Sequence, residues 1–161
     1  MSQAELTTLL NQGYRYALAL VHDKHQAEDI LQDAWLGVLQ ANGPHQKAYL
    51  FKAIRSRYLN QNKRAQLVPM VPLDPNETIN DETQPPENIL LEIDELEAHL
   101  EVLRPVERET LFLFAVEGYT AEEIAQYSGN PRGTVLSLIH RARQKLKSSI
   151  SSQQEDKHGE Y

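Results

Sequence analysis

The chain has 161 residues, a formal net charge of −7 and 40% apolar residues, enough for one ordinary domain or two small ones. It contains no cysteine, which excludes a disulfide framework and thiolate metal ligation. No apolar run approaches the roughly 18 residues of a membrane span. The opening MSQAELTTLLNQGYRYALAL lacks the basic start and small-residue cleavage site of a signal peptide, so a soluble, cytoplasmic protein is expected.

In chain order the first third reads as three helices. Leu6, Leu9, Leu10, Tyr14, Ala17, Leu18 and Val21 recur at three- and four-residue steps, one face of a first helix. Ala27, Ile30, Leu31, Ala34 and Val38 repeat the pattern in a second, which ends near Gly43-Pro44. A third covers residues 46–65, with Leu50, Phe51, Ile54 and Tyr58 as its apolar side. Residues 66–86 hold five prolines and no helical period, which predicts an extended, flexible linker. Helical spacing resumes at Glu87 with Ile89, Ile93, Leu96, Leu100 and Leu103; Pro105 then opens a helix carrying Leu111, Phe114 and Ala115 that stops at Gly118.

The next stretch has the punctuation of a helix-turn-helix. Thr120 and Glu123 form a capping box, Gly129 suits the end of a short helix, and Pro131 suits the start of the following one. On that last helix Val135, Leu138, Ile139, Ala142 and Leu146 make the buried stripe. Gly133, Ser137, His140, Arg141 and Gln144 fall on the other side, flanked by Arg132, Thr134, Arg143 and Lys147. The tail, 148–161, is polar and expected to fray. The fold class is all-α: a first domain over 1–65, an acidic linker over 66–86, a helix-turn-helix domain over 87–147 and the tail.

Charge is sorted along this plan. Residues 45–64 carry six Lys or Arg and residues 131–147 carry five, with no acid in either segment, whereas 73–101 carries ten acids and no Lys or Arg. A solvated amphipathic helix with a basic end would complement its own dipole. The caps, the short first helix and the exclusion of acids favour a helix that enters a DNA groove. In AEDILQDAWLGVLQ, Glu28, Asp29, Gln32 and Asp33 fall away from the core stripe with Leu36 among them, a mixture of steering charge and apolar area suited to a protein partner. In KAYLFKAIRSRYLNQNKR, bases alternate with Tyr49, Phe51 and Tyr58, a pattern that can hold phosphates and stack unpaired bases; Phe51 is assigned to the core instead.

No enzyme, cofactor or metal site is expected. His22 and His25 stand near Asp23 and Asp29 at a helix end, with spacing too weak for a metal site. DPNETINDE lacks the sixth-position Gly and twelfth-position Glu of a calcium loop.

Three stretches together resemble bacterial RNA polymerase sigma factors of the extracytoplasmic-function (ECF) group: AEDILQDAWLGVLQ, KAYLFKAIRSRYLNQNKR and LRPVERETLFLFAVEGYTAEEIAQYSGNPRGTVLSLIHRAR. The V-E-G-Y-T-x-E-E-I-A and G-T-V-x-S-x-x-x-R-A-R elements are the most specific. The resemblance implies that Asp29, Gln32, Asp33 and the neighbouring Leu36 face the β′ clamp helices of core RNA polymerase, which also brings in the β subunit. It implies that residues 42–46, including Asn42 and His45, together with Lys52, Arg55, Ser56, Lys63 and Arg64, open and hold the promoter −10 element. It points Arg132, Thr134, Ser137, His140, Arg141 and Arg143 at the −35 element, and it makes an anti-sigma factor a common kind of partner. Tyr49 stands where the family usually has Trp and Ser56 where it has Asn. Ser128 and Asn130 replace two apolar residues, and Leu138 replaces a commonly basic one. Two other readings remain at this point: an operator-binding regulator that acts without polymerase, and a sigma-like protein that serves as a protein-binding decoy.

Overall fold

A computed structural model describes the backbone of residues 1–65 and 99–158, with side chains through 62 and from 99 to 151. The expected linker, the helical stripe from Ile89 to Leu96 and the side chains of Lys63 and Arg64 lie outside the described residues. Every regular element among the described residues is helical, and the chain divides into two compact units, Met1–Pro72 and Leu73–Tyr161.

The first unit holds α1 (Gln3–Val21), α2 (Lys24–Gln40) and α3 (Lys47–Ala65), each packed on the other two. α1 begins at a reciprocal cap: the Glu5 N–H donates to Ser2 Oγ at 3.2 Å and the Ser2 N–H donates to Glu5 Oε2 at 3.0 Å. It ends at His22, whose left-handed φ of 51° breaks the helix and lets Asp23 accept from the Gln26 N–H at the start of α2. The core is Leu9, Tyr16, Ala17 and Leu20 against Ala27, Ile30, Ala34 and Val38, with Leu50, Phe51 and Ile54 from α3. Each large side chain buried here contributes roughly 1.5–3 kcal/mol relative to exposure. Tyr16 and Phe51 stack at 4.4 Å between ring centroids, which confirms Phe51 as a core residue.

On α1 the buried face is rotated from the expected one. Gly13 and Tyr16 are buried, whereas Leu10, Tyr14, Leu18 and Val21 are only half-buried. At Gly13 side chains of both other helices crowd the backbone: a Cβ there would stand 2.9 Å from Leu31 Cδ1 and Leu50 Cδ2 and 3.3 Å from Ile54 Cδ1. Apolar side chains alone do not reveal a crossing made through a missing one.

In the second unit α4 (Pro105–Leu111) runs into a wider π-helical turn (Phe112–Val116), followed by α5 (Ala121–Ser128) and α6 (Arg132–His158). Pro105 opens α4 as expected. The wider turn, marked by the Glu117 N–H donating to the Phe112 carbonyl, adds a residue to the helical repeat. Within this segment Leu113 is fully inaccessible and the expected Ala115 is exposed. α6 packs on α4 and on α5, and Leu103, Leu111, Ala142 and Leu146 form one core cluster with Leu100 against it. The expected frayed tail is instead a continuation of α6 to His158: SSISSQQEDKH contains no Pro or Gly, and the first breaker is Gly159.

Candidate functional site

Three surfaces carry the residues singled out by the sequence, two in the first unit and one in the second. On α2, Ala27, Ile30, Ala34 and Val38 turn into the core and set the rotation of the helix. Glu28, Asp29, Gln32 and Asp33 are consequently exposed together. Leu36 lies among them with 54% of its surface open to solvent, and Leu39 extends the apolar area at 44%. The expected mixture of acid and apolar surface is thus present on one helix face.

Beyond α2 the chain turns through Asn42, at a left-handed φ of 49°, and the Gly43 N–H returns to the Val38 carbonyl at 2.9 Å. Two aromatic contacts shape this loop. The His45 ring packs on Trp35 at 5.0 Å, and the Tyr49 ring occupies the space that a side chain at residue 43 would need, with Cζ only 2.8 Å from a Cβ built on Gly43. Tyr49 remains 39% exposed. Behind the loop, Lys52 and Ser56 are exposed on α3 and Arg55 is half-buried, so these three expected residues share the surface that continues from the loop. Sequence reading missed Arg57, whose guanidinium lies over Gly37 of α2; the signal was the unusual glycine in the middle of that helix.

In the second unit the helix-turn-helix forms as its punctuation predicts. The Glu123 N–H donates to Thr120 Oγ1 and the Thr120 N–H donates to Glu123 Oε1, both at 3.1 Å. Gly129 closes α5 with φ 78°, a conformation that strains any other residue. Ser128 Oγ accepts from the Asn130 N–H at 3.3 Å and both residues are half-buried, so their polarity serves the turn and does not leave two holes in the core. On α6 all five expected stripe residues are buried.

Arg132 and His140 are exposed on α6, and Thr134, Arg141 and Arg143 are half-buried. Ser137 departs from expectation: it is only 3% exposed and sits in an unbroken buried run, residues 135–139. Helical spacing locates one covered face and is silent about a second, which is why Ser137 was grouped with the exposed set. Gly133, assigned above to the outer side, has no atom within 4 Å of where a Cβ would stand.

α6 is tied to α4 by an ion pair whose acid is buried and whose lysine is partly exposed. Glu107 is fully inaccessible, accepts from Lys145 Nζ at 2.7 Å and from the Arg104 N–H at 2.9 Å, and holds Arg104 Nε at 3.4 Å. Burial alone raises the Glu107 pKa. The Lys145 and Arg104 hydrogen bonds and the two positive charges outweigh it and hold the carboxyl below its ordinary range.

One unit thus carries an acidic, partly apolar helix face and the other a basic helix-turn-helix. Comparison with known proteins names the family. The family model for Sigma-70 region 2 matches residues 6–67, and that for Sigma-70, region 4 matches residues 93–146. The chain is 30% identical over 138 residues to the ECF RNA polymerase sigma factor EcfG of Rhodopseudomonas palustris, covering 81% of this chain and 75% of EcfG. It is 30% identical over 146 residues to the ECF RNA polymerase sigma factor SigE of Mycolicibacterium smegmatis, covering 86% of this chain but 57% of SigE, so it spans little more than half of that relative. The sigma factor RpoE of Bartonella quintana, solved in complex with the anti-sigma factor NepR, has the same fold, with a TM-score of 0.65 over 92% of this chain and 96% of that one at 22% identity. The chain belongs to the ECF group of RNA polymerase sigma factors.

Proposed function

We propose that this chain is a promoter-specificity subunit: it binds core RNA polymerase, directs it to a promoter and assists DNA opening, with no catalytic chemistry of its own. The observation that carries this reading is Leu36, exposed among Glu28, Asp29, Gln32 and Asp33 on a helix whose opposite face is fully committed to the core. The acids steer a basic partner helix, the β′ clamp helices in this family, and Leu36 gives the contact apolar area to desolvate.

The braced loop at 42–46 and the surface of Lys52, Arg55 and Ser56 then receive the separated −10 strand, where cations hold phosphates and Tyr49 offers a face for stacking. Arg132, Thr134, His140, Arg141 and Arg143 of α6 meet the −35 duplex. A net charge of −7 opposes counterion-release binding by the free chain, so polymerase supplies the affinity and this subunit supplies the selection. The protein acts in the cytoplasm, where polymerase is found. An anti-sigma partner would act by occluding the α2 face, and it would compete with polymerase for Asp29 and Asp33.

The test is a pull-down with purified bacterial core RNA polymerase, followed by initiation assays on genomic fragments. Wild type should be captured and should initiate. An Asp29→Lys, Asp33→Lys variant should lose both, while its melting temperature stays close to wild type because both positions are exposed. Equal capture of variant and wild type would defeat the assignment of this face.

A further inference from the structure

Gly37 of α2 has no side chain, and the guanidinium of Arg57 from α3 fills the vacancy: Nη2 is the nearest atom to a Cβ built there, with Cζ at 3.0 Å and Nη1 at 3.4 Å. Three guanidinium atoms this close mean that the group lies against the α2 backbone. Arg57 is half-buried and has no hydrogen-bond or ion-pair partner among the described residues. A guanidinium carries five donors, and partial burial without an acceptor is unfavourable. A leucine or methionine would cover the same groove without that cost. Arg57 therefore makes sense as a group kept for a partner that is absent from the free chain.

Its surroundings indicate which partner. Gly37 follows Leu36 and lies one helical turn beyond Asp33, so the cation borders the acidic patch and is not on the DNA-facing side of α3. Lys52, the exposed cation of that other side, is five residues earlier, about 140° around the helix. We propose that Arg57, seated on Gly37, is the basic corner of the polymerase-binding patch and receives a carboxylate from the polymerase helix that docks on Asp29, Asp33 and Leu36. This rests on the polymerase reading above and deepens it. A uniformly basic partner would satisfy the acids and be repelled by Arg57. A helix with basic residues and one correctly placed acid satisfies both, so the patch selects a register as well as a charge.

The experiment titrates full-length protein against purified bacterial core RNA polymerase, with oligothymidylate binding and thermal melting measured in parallel. Gly37→Ala and Arg57→Gln should each weaken polymerase binding by about tenfold, the effect of one lost interfacial charge pair. Arg57→Lys should recover only part of the loss, because an ammonium cannot bind a carboxylate through a planar fork. Gly37→Ala is the sharper probe. Alanine is a better helix former than glycine and displaces only the flexible end of Arg57, so the melting temperature should hold or rise while affinity falls. Oligothymidylate binding should not change.

Wild-type polymerase affinity in either Gly37→Ala or Arg57→Gln would overturn the inference. So would a loss confined to oligothymidylate, which would make Arg57 a strand-phosphate contact. The Asp29→Lys, Asp33→Lys variant separates the levels: if it binds polymerase like wild type, the polymerase face itself is misassigned and this inference falls with it.

Discussion

Glu107 and Lys145 meet at 2.7 Å where α4 packs on α6, and the contact leaves the second carboxylate oxygen of Glu107 buried with no partner among the described residues. The pair fixes the base of the last helix, so its energetics bear on how firmly that helix is presented. Removing the lysine leaves a carboxylate in an inaccessible site. Because Lys145 is itself 40% exposed, the penalty lies below that of a fully buried pair. Lys145→Met should destabilise the second unit by about 2 kcal/mol, read by urea denaturation of the full chain.

The same carboxylate gives a pH dependence of known sign. Its folded pKa lies below the ordinary 4.5, so its stabilising contribution is complete above that pH and is lost as the pH falls through the lower folded value. Glu107→Gln should melt below wild type at neutral pH, and the gap should close as the pH falls below 4.5. Thermal melts of both proteins across pH 3–7 measure this, and a constant gap would remove the carboxylate's charge from the account.

Gly13 makes the core of the first unit sensitive to a single added group. A valine there would press its branches into Leu31 and the fully buried Leu50. Gly13→Val should cost about 2 kcal/mol by overpacking. Gly13→Ala should cost less, since better helix propensity offsets part of the clash. Denaturant midpoints for the two variants give the comparison.

The fate of Gly13 also shows what the sequence could and could not convey. Helix periods were legible because each helix buries one stripe; on α2 four of the five expected stripe residues are buried and Leu31 is half-buried, which left Asp29, Asp33 and Leu36 on the outside. On α1 the largest apolar residues misled, because the core face includes a glycine crowded by side chains of α2 and α3 and a ring stacked on Phe51. In the π-helical turn Leu113 is buried and Ala115 is exposed, a pattern that a 3.6-residue template does not give. Caps at Thr120 and Gly129 were legible because their chemistry is local. Arg57 on Gly37 and Glu107 under Lys145 were not, since each joins residues from different helices.

Tyr49 is expected to act through the loop it braces. Its ring rests against Gly43, so replacing it by alanine removes the support and leaves the acidic patch on α2 untouched. Tyr49→Ala should bind core polymerase within about twofold of wild type and form open promoter complexes several times more slowly. Open-complex formation followed by permanganate footprinting reads the difference. Loss of polymerase binding in this variant would show that the loop belongs to the protein interface.

On α6 the structure separates two residues that spacing alone places together. His140 is exposed and free to approach a base edge, whereas Ser137 is 3% exposed. With polymerase present, His140→Ala should weaken use of a cognate promoter by about 1–3 kcal/mol in discrimination, roughly ten- to a hundredfold, concentrated at one or two −35 positions. Ser137→Ala should leave base preference unchanged and alter only melting temperature, because a buried hydroxyl contributes through packing and local hydrogen bonding. Initiation from a library randomised across the −35 element measures both variants at once. If Ser137→Ala changes the preferred bases as strongly as His140→Ala does, then residues 135–139 are uncovered when the chain is mounted on promoter DNA, and the burial seen here belongs to the free chain.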